Sequence, residues 1–117
     1  MKLTPAEIRA LGGDWPLDPE VADLVVVSRG GAIDLDATLE RLESAVRHVQ
    51  RELDEISRFA RQWNASPSDV TDNRDRFGSR RVACTEAIAQ VRAIAERARM
   101  PGAWLRRVRA RMVALFR

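Results

Sequence analysis

The sequence is poor in the residues that carry most side-chain chemistry. Its 117 residues include one cysteine, one histidine and no tyrosine, and aromatic residues make up 5% of the chain. A single cysteine excludes a disulfide framework, and one cysteine with one histidine excludes the usual zinc ligand sets. Few pairings of a nucleophile with a base remain, so we expect a protein that is not an enzyme and that uses no metal or cofactor.

Long apolar runs are also missing. No segment approaches the roughly 18 residues of a membrane span, and the N-terminus lacks the basic and apolar regions of a secretory signal. We therefore expect a cytoplasmic protein. With 45% hydrophobic and 32% charged residues, the chain can bury a core and has the length of one domain.

Charge is distributed unevenly along the chain. Residues 1–64 hold 8 Lys and Arg against 12 Asp and Glu, a net charge of −4, whereas residues 65–117 hold 12 against 5, a net charge of +7. Residues 100–117 contain five arginines and no acidic residue. The net charge of +3 is therefore the sum of an acidic N-terminal half and a basic C-terminal half.

The strongest pattern covers residues 35–64. Apolar residues recur there with alternating spacings of four and three, which is the a/d pattern of a coiled coil, and no Gly or Pro interrupts them. They are Leu35, Leu39, Leu42, Val46, Val49, Leu53, Ile56, Ala60 and Trp63. We expect one helix of about 45 Å, with Asp34 or Asp36 capping its start. A second structural element of similar length must therefore pack against its apolar seam.

A second long helix is predicted over residues 67–99, where apolar residues recur every seven positions. The series is Val70, Phe77, Cys84, Val91 and Ala98, with Ile88 and Ala95 between its later members. Arg74 and Arg81 weaken the seam at its start, and Gly78 could break the helix. Because only a few residues join the two helices, we expect an antiparallel hairpin. The alternative is that residues 35–64 pair with a second copy or a partner.

The N-terminal residues predict short elements. Thr4, Pro5 and Glu7 form the cap, first-turn proline and closing carboxylate of a capping box, so a short helix begins there. Gly12 and Gly13 end it.

Residues 18–34 admit two structures. Asp18 and Pro19 repeat the cap and proline, and we expect a second helix that runs to Gly30-Gly31. The alternative is a small hairpin, because residues 24–27 are rich in β-branched side chains and the two glycines suit a turn before a return strand at 32–35.

The two residues with the greatest chemical reactivity have structural explanations. His48 falls on the outer face of the first long helix, four residues before Glu52, where we expect a surface ion pair. Cys84 falls on the seam of the second, where we expect it to be buried as a small hydrophobic residue. Their opposite faces argue against a Cys/His dyad.

A final amphipathic helix is predicted over residues 103–117. Its large apolar side chains fall within an arc of roughly 120° on a helical wheel. They are Trp104, Leu105, Val108, Met112, Leu115 and Phe116. The arginines fall outside that arc, at Arg106, Arg107, Arg109, Arg111 and Arg117. The commonest arrangement of such a helix packs the apolar arc on the rest of the protein and leaves the arginines in water, and we expect that arrangement here.

Together these patterns predict one all-α domain over residues 1–117. It has short N-terminal elements at 1–34, a long antiparallel, coiled-coil-like helical hairpin at 35–99, and a basic amphipathic helix at 103–117.

The expected function is that of a small helical protein–protein interaction module, such as an adaptor, assembly factor or stoichiometric inhibitor. The apolar arc is the candidate site for a protein partner or a second copy. The first alternative is nucleic-acid binding through the arginines of the last helix, extended by Arg74, Arg76, Arg80 and Arg81. The second is association of that helix with a membrane surface.

Overall fold

The computed structural model describes residues 1–63 and 67–115. In chain order the elements are β1 (Lys2–Leu3), α1 (Pro5–Ala10), a 3₁₀ helix (Pro19–Leu24), β2 (Ile33–Asp34), α2 (Leu35–Trp63), α3 (Pro67–Ala98) and α4 (Ala103–Leu115). Residues 64–66, Phe116, Arg117 and the side chains of Trp63, Pro67 and Asp69 lie outside this description. The predicted all-α fold with a helical hairpin is confirmed.

The two long helices pack along each other as the heptad spacing predicts. Near the start of α2 the seam is closed, because Leu35, Leu42 and Val49 are buried. Toward the loop between the helices, Leu53 and Ile56 are only half-buried. The buried side chains of α3 are Ala83, Cys84, Ala87, Val91 and Ile94. The hairpin therefore has a packed end, which the N-terminal residues also cover, and a thinner end near the loop.

The helix α3 runs through Gly78 without a break. A Cβ atom at that position would meet nothing within 4 Å, so no close contact requires the glycine. The two arginines that weaken the seam reach across to α2 instead of entering the core. Arg74 donates to Ser57 Oγ at 3.1 Å, and Arg81 donates to Gln50 Oε1 at 2.9 Å. These contacts hold the helices together where apolar seam residues are missing.

The capping box of α1 forms as predicted. Glu7 N–H donates to Thr4 Oγ1 and Thr4 N–H donates to Glu7 Oε1, both at 3.2 Å. The helix directs Ile8 into the core, and its C-cap residue Leu11 is also buried. A Cβ atom on Gly13 would lie 2.8 Å from Ile94 Cγ1, so only glycine lets the chain pass this close to α3. This approach seats α1 on the packed end of the hairpin.

The expected helix from residue 18 to Gly30-Gly31 is wrong beyond Leu24. The chain is extended from Val25, and Val27 forms a β-bridge with Ile33 across a turn at residues 28–31, as in the hairpin alternative. The hydrogen bonds of Val26 explain why the chain is extended and not helical here. Its carbonyl accepts from Asp34 N–H at 2.9 Å, and its N–H donates to the Oγ1 of buried Thr38 at 3.0 Å. β2 also pairs antiparallel with β1, which a helix would not allow.

Candidate interaction surface

The last helix packs against α1, and it does so with its small residues. Ala103 is buried and Ala110 is half-buried, and both lie on the side of α4 opposite the predicted apolar arc. The preceding turn contains Gly102 at a φ of 82°, a left-handed conformation that favours glycine. The turn directs α4 back along α1 with the alanine side facing inward.

The large apolar side chains of α4 consequently face outward. Trp104 is 62% exposed, Leu105 56%, Val108 43%, Met112 53% and Leu115 82%. We call these five residues the apolar stripe. The expectation that this arc packs on the hairpin is wrong, because the alanine side occupies the contact with α1. Phe116, the sixth residue of the predicted arc, lies beyond the last described residue.

A buried carboxylate fixes α4 in this orientation. Glu7 is fully buried, and its two carboxylate oxygens accept hydrogen bonds from both α1 and α4. Arg107 Nε donates to Oε2 at 3.3 Å, and Arg111 Nε donates to Oε1 at 3.2 Å. The two arginines lie one helical turn apart, so one carboxylate holds both. We call this arrangement the Glu7 clasp.

Two opposing effects set the ionisation of Glu7. Burial raises the pKa of its carboxyl, but hydrogen bonds from Thr4 N–H, Arg107 and Arg111 outweigh burial, so the pKa lies below its ordinary value. Glu7 is therefore a carboxylate at neutral pH. The capping box identified Glu7 in the sequence, but no local pattern shows that its side chain also receives two arginines from about a hundred residues away.

The clasp divides the predicted basic surface. Arg107 and Arg111 bind Glu7, whereas Arg106 and Arg109 are exposed and pair with no carboxylate in the described part of the chain. Arg117 lies outside that part. The nucleic-acid alternative predicts that the arginines of α4 form the contact, and two described arginines of that helix bind no carboxylate within the protein.

The proposed extension of that surface along α3 is also engaged within the protein. Arg80 binds the Asp23 carboxylate at 3.1 Å and the carbonyl of Glu20, and the hydrogen bond from Arg80 lowers the pKa of Asp23. Arg76 donates to Asn73 Oδ1 at 2.9 Å. With Arg74 and Arg81 directed at α2, one of the four arginines is paired with a carboxylate and the other three are held by neutral side-chain oxygens.

The residues weighed for catalysis do not come together. His48 is exposed on α2, whereas Cys84 is fully buried, as predicted, and burial raises the pKa of its thiol. Among residues 1–63 and 67–115, no group of three or more His, Cys, Asp or Glu side chains is placed to hold a metal ion. Within the same residues, no helix has both the length and the hydropathy needed to cross a membrane.

Comparisons with protein family models, curated proteins and solved structures give no match to this chain. The fold defines the class as an all-α helical hairpin with an appended amphipathic helix. The function must therefore be inferred from the geometry of that helix and its surroundings.

Proposed function

We propose that this protein is a non-enzymatic interaction module that binds a protein partner through the apolar stripe of α4. The observation that supports the proposal is the exposure of five large apolar side chains on one side of one helix. Scattered exposed apolar residues are ordinary, but a continuous apolar patch on a monomer is typical of an interaction site.

Burial of the stripe would supply substantial free energy. Covering one large aliphatic side chain completely contributes about 1.5–3 kcal/mol, and Trp104 adds a large aromatic surface. The spacing of Leu105, Val108 and Met112 presents them on one side of the helix, which is the arrangement of a helix that inserts into an apolar groove.

The Glu7 clasp supports binding by ordering α4 in advance. A helix that folds only on binding loses conformational entropy at that moment, which reduces its affinity. Here two arginines and a buried carboxylate hold the helix on α1 before any partner arrives. The partner therefore meets a preformed surface, and the long hairpin acts as its rigid support.

The direction of the arginines favours a protein over nucleic acid or a membrane. Phosphates and anionic lipid headgroups both require unpaired cations beside the contact surface. Arg107 and Arg111 both bind Glu7, whose single negative charge balances one of their two positive charges, and the described cations of α4 that bind no carboxylate are Arg106 and Arg109. These two fit carboxylates at the rim of an apolar groove in a partner protein.

Site-specific cross-linking tests the proposal. A photoreactive residue at position 105 should form cross-links to protein, whereas one at Val27, which has matching exposure of 57% against 56% for Leu105, should form few. The Leu105→Asp variant should lose the complex and Val27→Asp should retain it. Equal cross-linking from both positions would contradict the proposal.

Two further assays check the alternatives. Binding of labelled DNA or RNA that Arg106→Glu with Arg109→Glu abolishes and Leu105→Asp leaves intact would favour nucleic acid over protein. Sedimentation with anionic vesicles that depends on Leu105 would favour a membrane surface.

A further inference from the structure

A second surface on the same chain complements α4. A groove of about 570 Å³ runs along α3 beside the start of the 3₁₀ helix. Asp75, Ser79, Val82 and Glu86 line it at spacings of four, three and four, so they share one side of α3. Val82 is 54% exposed at the middle of this side. Ser79 and the neighbouring Gly78 are small enough to let a helix approach closely.

Carboxylates outnumber guanidinium groups in the lining of the groove. The acidic lining residues are Asp18, Glu20, Asp75 and Glu86, and none of their carboxylates forms an ion pair within the described part of the chain. Arg74 and Arg81 also line the groove and keep their charges, because they donate to the neutral oxygens of Ser57 and Gln50 on α2. The lining therefore holds four acidic side chains against two basic ones, an excess of negative charge.

One side of α4 has the reverse character. Leu105, Arg109 and Met112 lie within about 60° of each other around the helix, and Arg106 lies at the edge of this side. The two arginines are the described cations of α4 that the Glu7 clasp leaves unpaired. The side thus offers apolar contacts for Val82 and positive charge for the carboxylates that line the groove.

We propose that α4 of one copy lies in the α3 groove of a second copy. This inference rests on the proposed function and names the partner as the chain itself. The groove of the same copy is out of reach, because Val82 lies about 24 Å along α3 from Ala98, where α3 ends just before α4. The Glu7 clasp moreover holds α4 on α1.

The contact joins two different surfaces, so it is heterologous. A pair still has one free groove, on the copy that donates its α4, and one free α4, on the copy that accepts it, so association continues head to tail into chains or closes into rings. Because opposite charges face each other, the association should weaken as salt is raised.

Analytical ultracentrifugation of the full chain over a wide concentration range tests this inference. The wild-type chain should form species larger than dimers. Leu105→Asp on α4 and Val82→Asp in the groove should each weaken association by about tenfold or more. Val27→Asp, at a matched exposed position outside both surfaces, should have no effect. Ser79→Arg places a long side chain in the groove and should also weaken association, which tests the same surface independently.

Mixing the two variants distinguishes this arrangement from a symmetric one. Leu105→Asp retains an intact groove and Val82→Asp retains an intact α4, so the mixture should form one-to-one dimers and nothing larger. In a symmetric dimer that joins two apolar stripes, Val82→Asp would still dimerise with itself. Adding Leu105→Asp to it would then form no complex between the two variants. That result would overturn the inference.

A wild-type chain that stays monomeric at every concentration would also overturn it. The proposed function would then be judged separately, because cross-links from position 105 to a different protein would support that function while contradicting self-assembly. Absence of both association and cross-links would contradict the two together.

Discussion

The helices α2 and α4 are both amphipathic, yet their apolar sides have opposite environments. Leu42 of α2 is fully buried against α3, whereas Leu105 of α4 is 56% exposed. α2 meets a helix of similar length, which buries five apolar side chains along its packed end. α4 meets α1, a six-residue helix that offers a buried carboxylate and little apolar surface.

The difference shows that periodicity defines the apolar side of a helix without defining what covers that side. For α2, the partner follows in the sequence after a short loop and has the same repeat. For α4, the orientation depends on a single long-range contact, since the Glu7 clasp draws the arginine edge inward and leaves the stripe outside.

Truncation of Leu42 should produce the largest loss of stability. Leu42→Ala removes a fully buried side chain from the closed part of the seam, so the free energy of unfolding should fall by about 2–5 kcal/mol. Chemical denaturation followed by circular dichroism measures this change. A loss below about 1 kcal/mol would show that the packed end of the hairpin is not the centre of the core.

Removal of the charge on Glu7 should have an intermediate effect. Glu7→Gln keeps an acceptor for the capping box but loses the ionic contacts to α4, so stability should fall by about 1–2 kcal/mol. The control Glu40→Gln removes an exposed carboxylate from α2 and should change little. Trypsin should also cut sooner after Arg106 and Arg109 in the Glu7 variant. Unchanged stability and cleavage would exclude the clasp as the anchor of α4.

Acidification should remove the contribution of Glu7 to stability. Its folded pKa lies below the ordinary value of 4.5, so the contribution is complete above that value and is lost as the pH falls through the folded pKa. The stability difference between wild type and Glu7→Gln should therefore shrink on acidification. Asp23 and Asp36, whose pKa values are also lowered, are present in both chains and cancel. A difference that is constant with pH would contradict an ionised Glu7.

Truncation of the stripe should have the smallest effect on stability. Leu105→Ala, measured in dilute solution where the chain is free of partners, should change the free energy of unfolding by no more than about 0.5 kcal/mol. The same substitution type at Leu42 provides the matched comparison. A loss comparable with that of Leu42→Ala would mean that the stripe is packed within the chain.

Much of the scaffold could be predicted from sequence because its determinants are local or periodic. The heptad spacing of α2 and the seven-residue series of α3 indicated the hairpin, and Thr4 with Glu7 indicated the first turn of α1. Each of these signals depends on residues within a turn or two of each other, or on a repeat that continues for four heptads.

The remaining features depend on contacts between distant residues. The extended stretch at residues 25–27 follows from the bonds of Val26 to Asp34 and Thr38, together with the pairing of Ile33 with Leu3. The outward direction of the α4 stripe follows from Glu7. The residues of the stripe could be named from the helical wheel, but their exposure could not.

Oxidative footprinting of the dilute monomer measures whether the apolar stripe of the free chain faces solvent. Trp104 is 62% exposed whereas Trp15 is half-buried and packs against the core, so the two tryptophans provide an internal comparison. We predict that Trp104 is oxidised several times faster than Trp15 and that Met112 reacts as fast as exposed Met100. Protection of Trp104 and Met112 in the monomer would contradict this account, because it would place the stripe against the body of the protein.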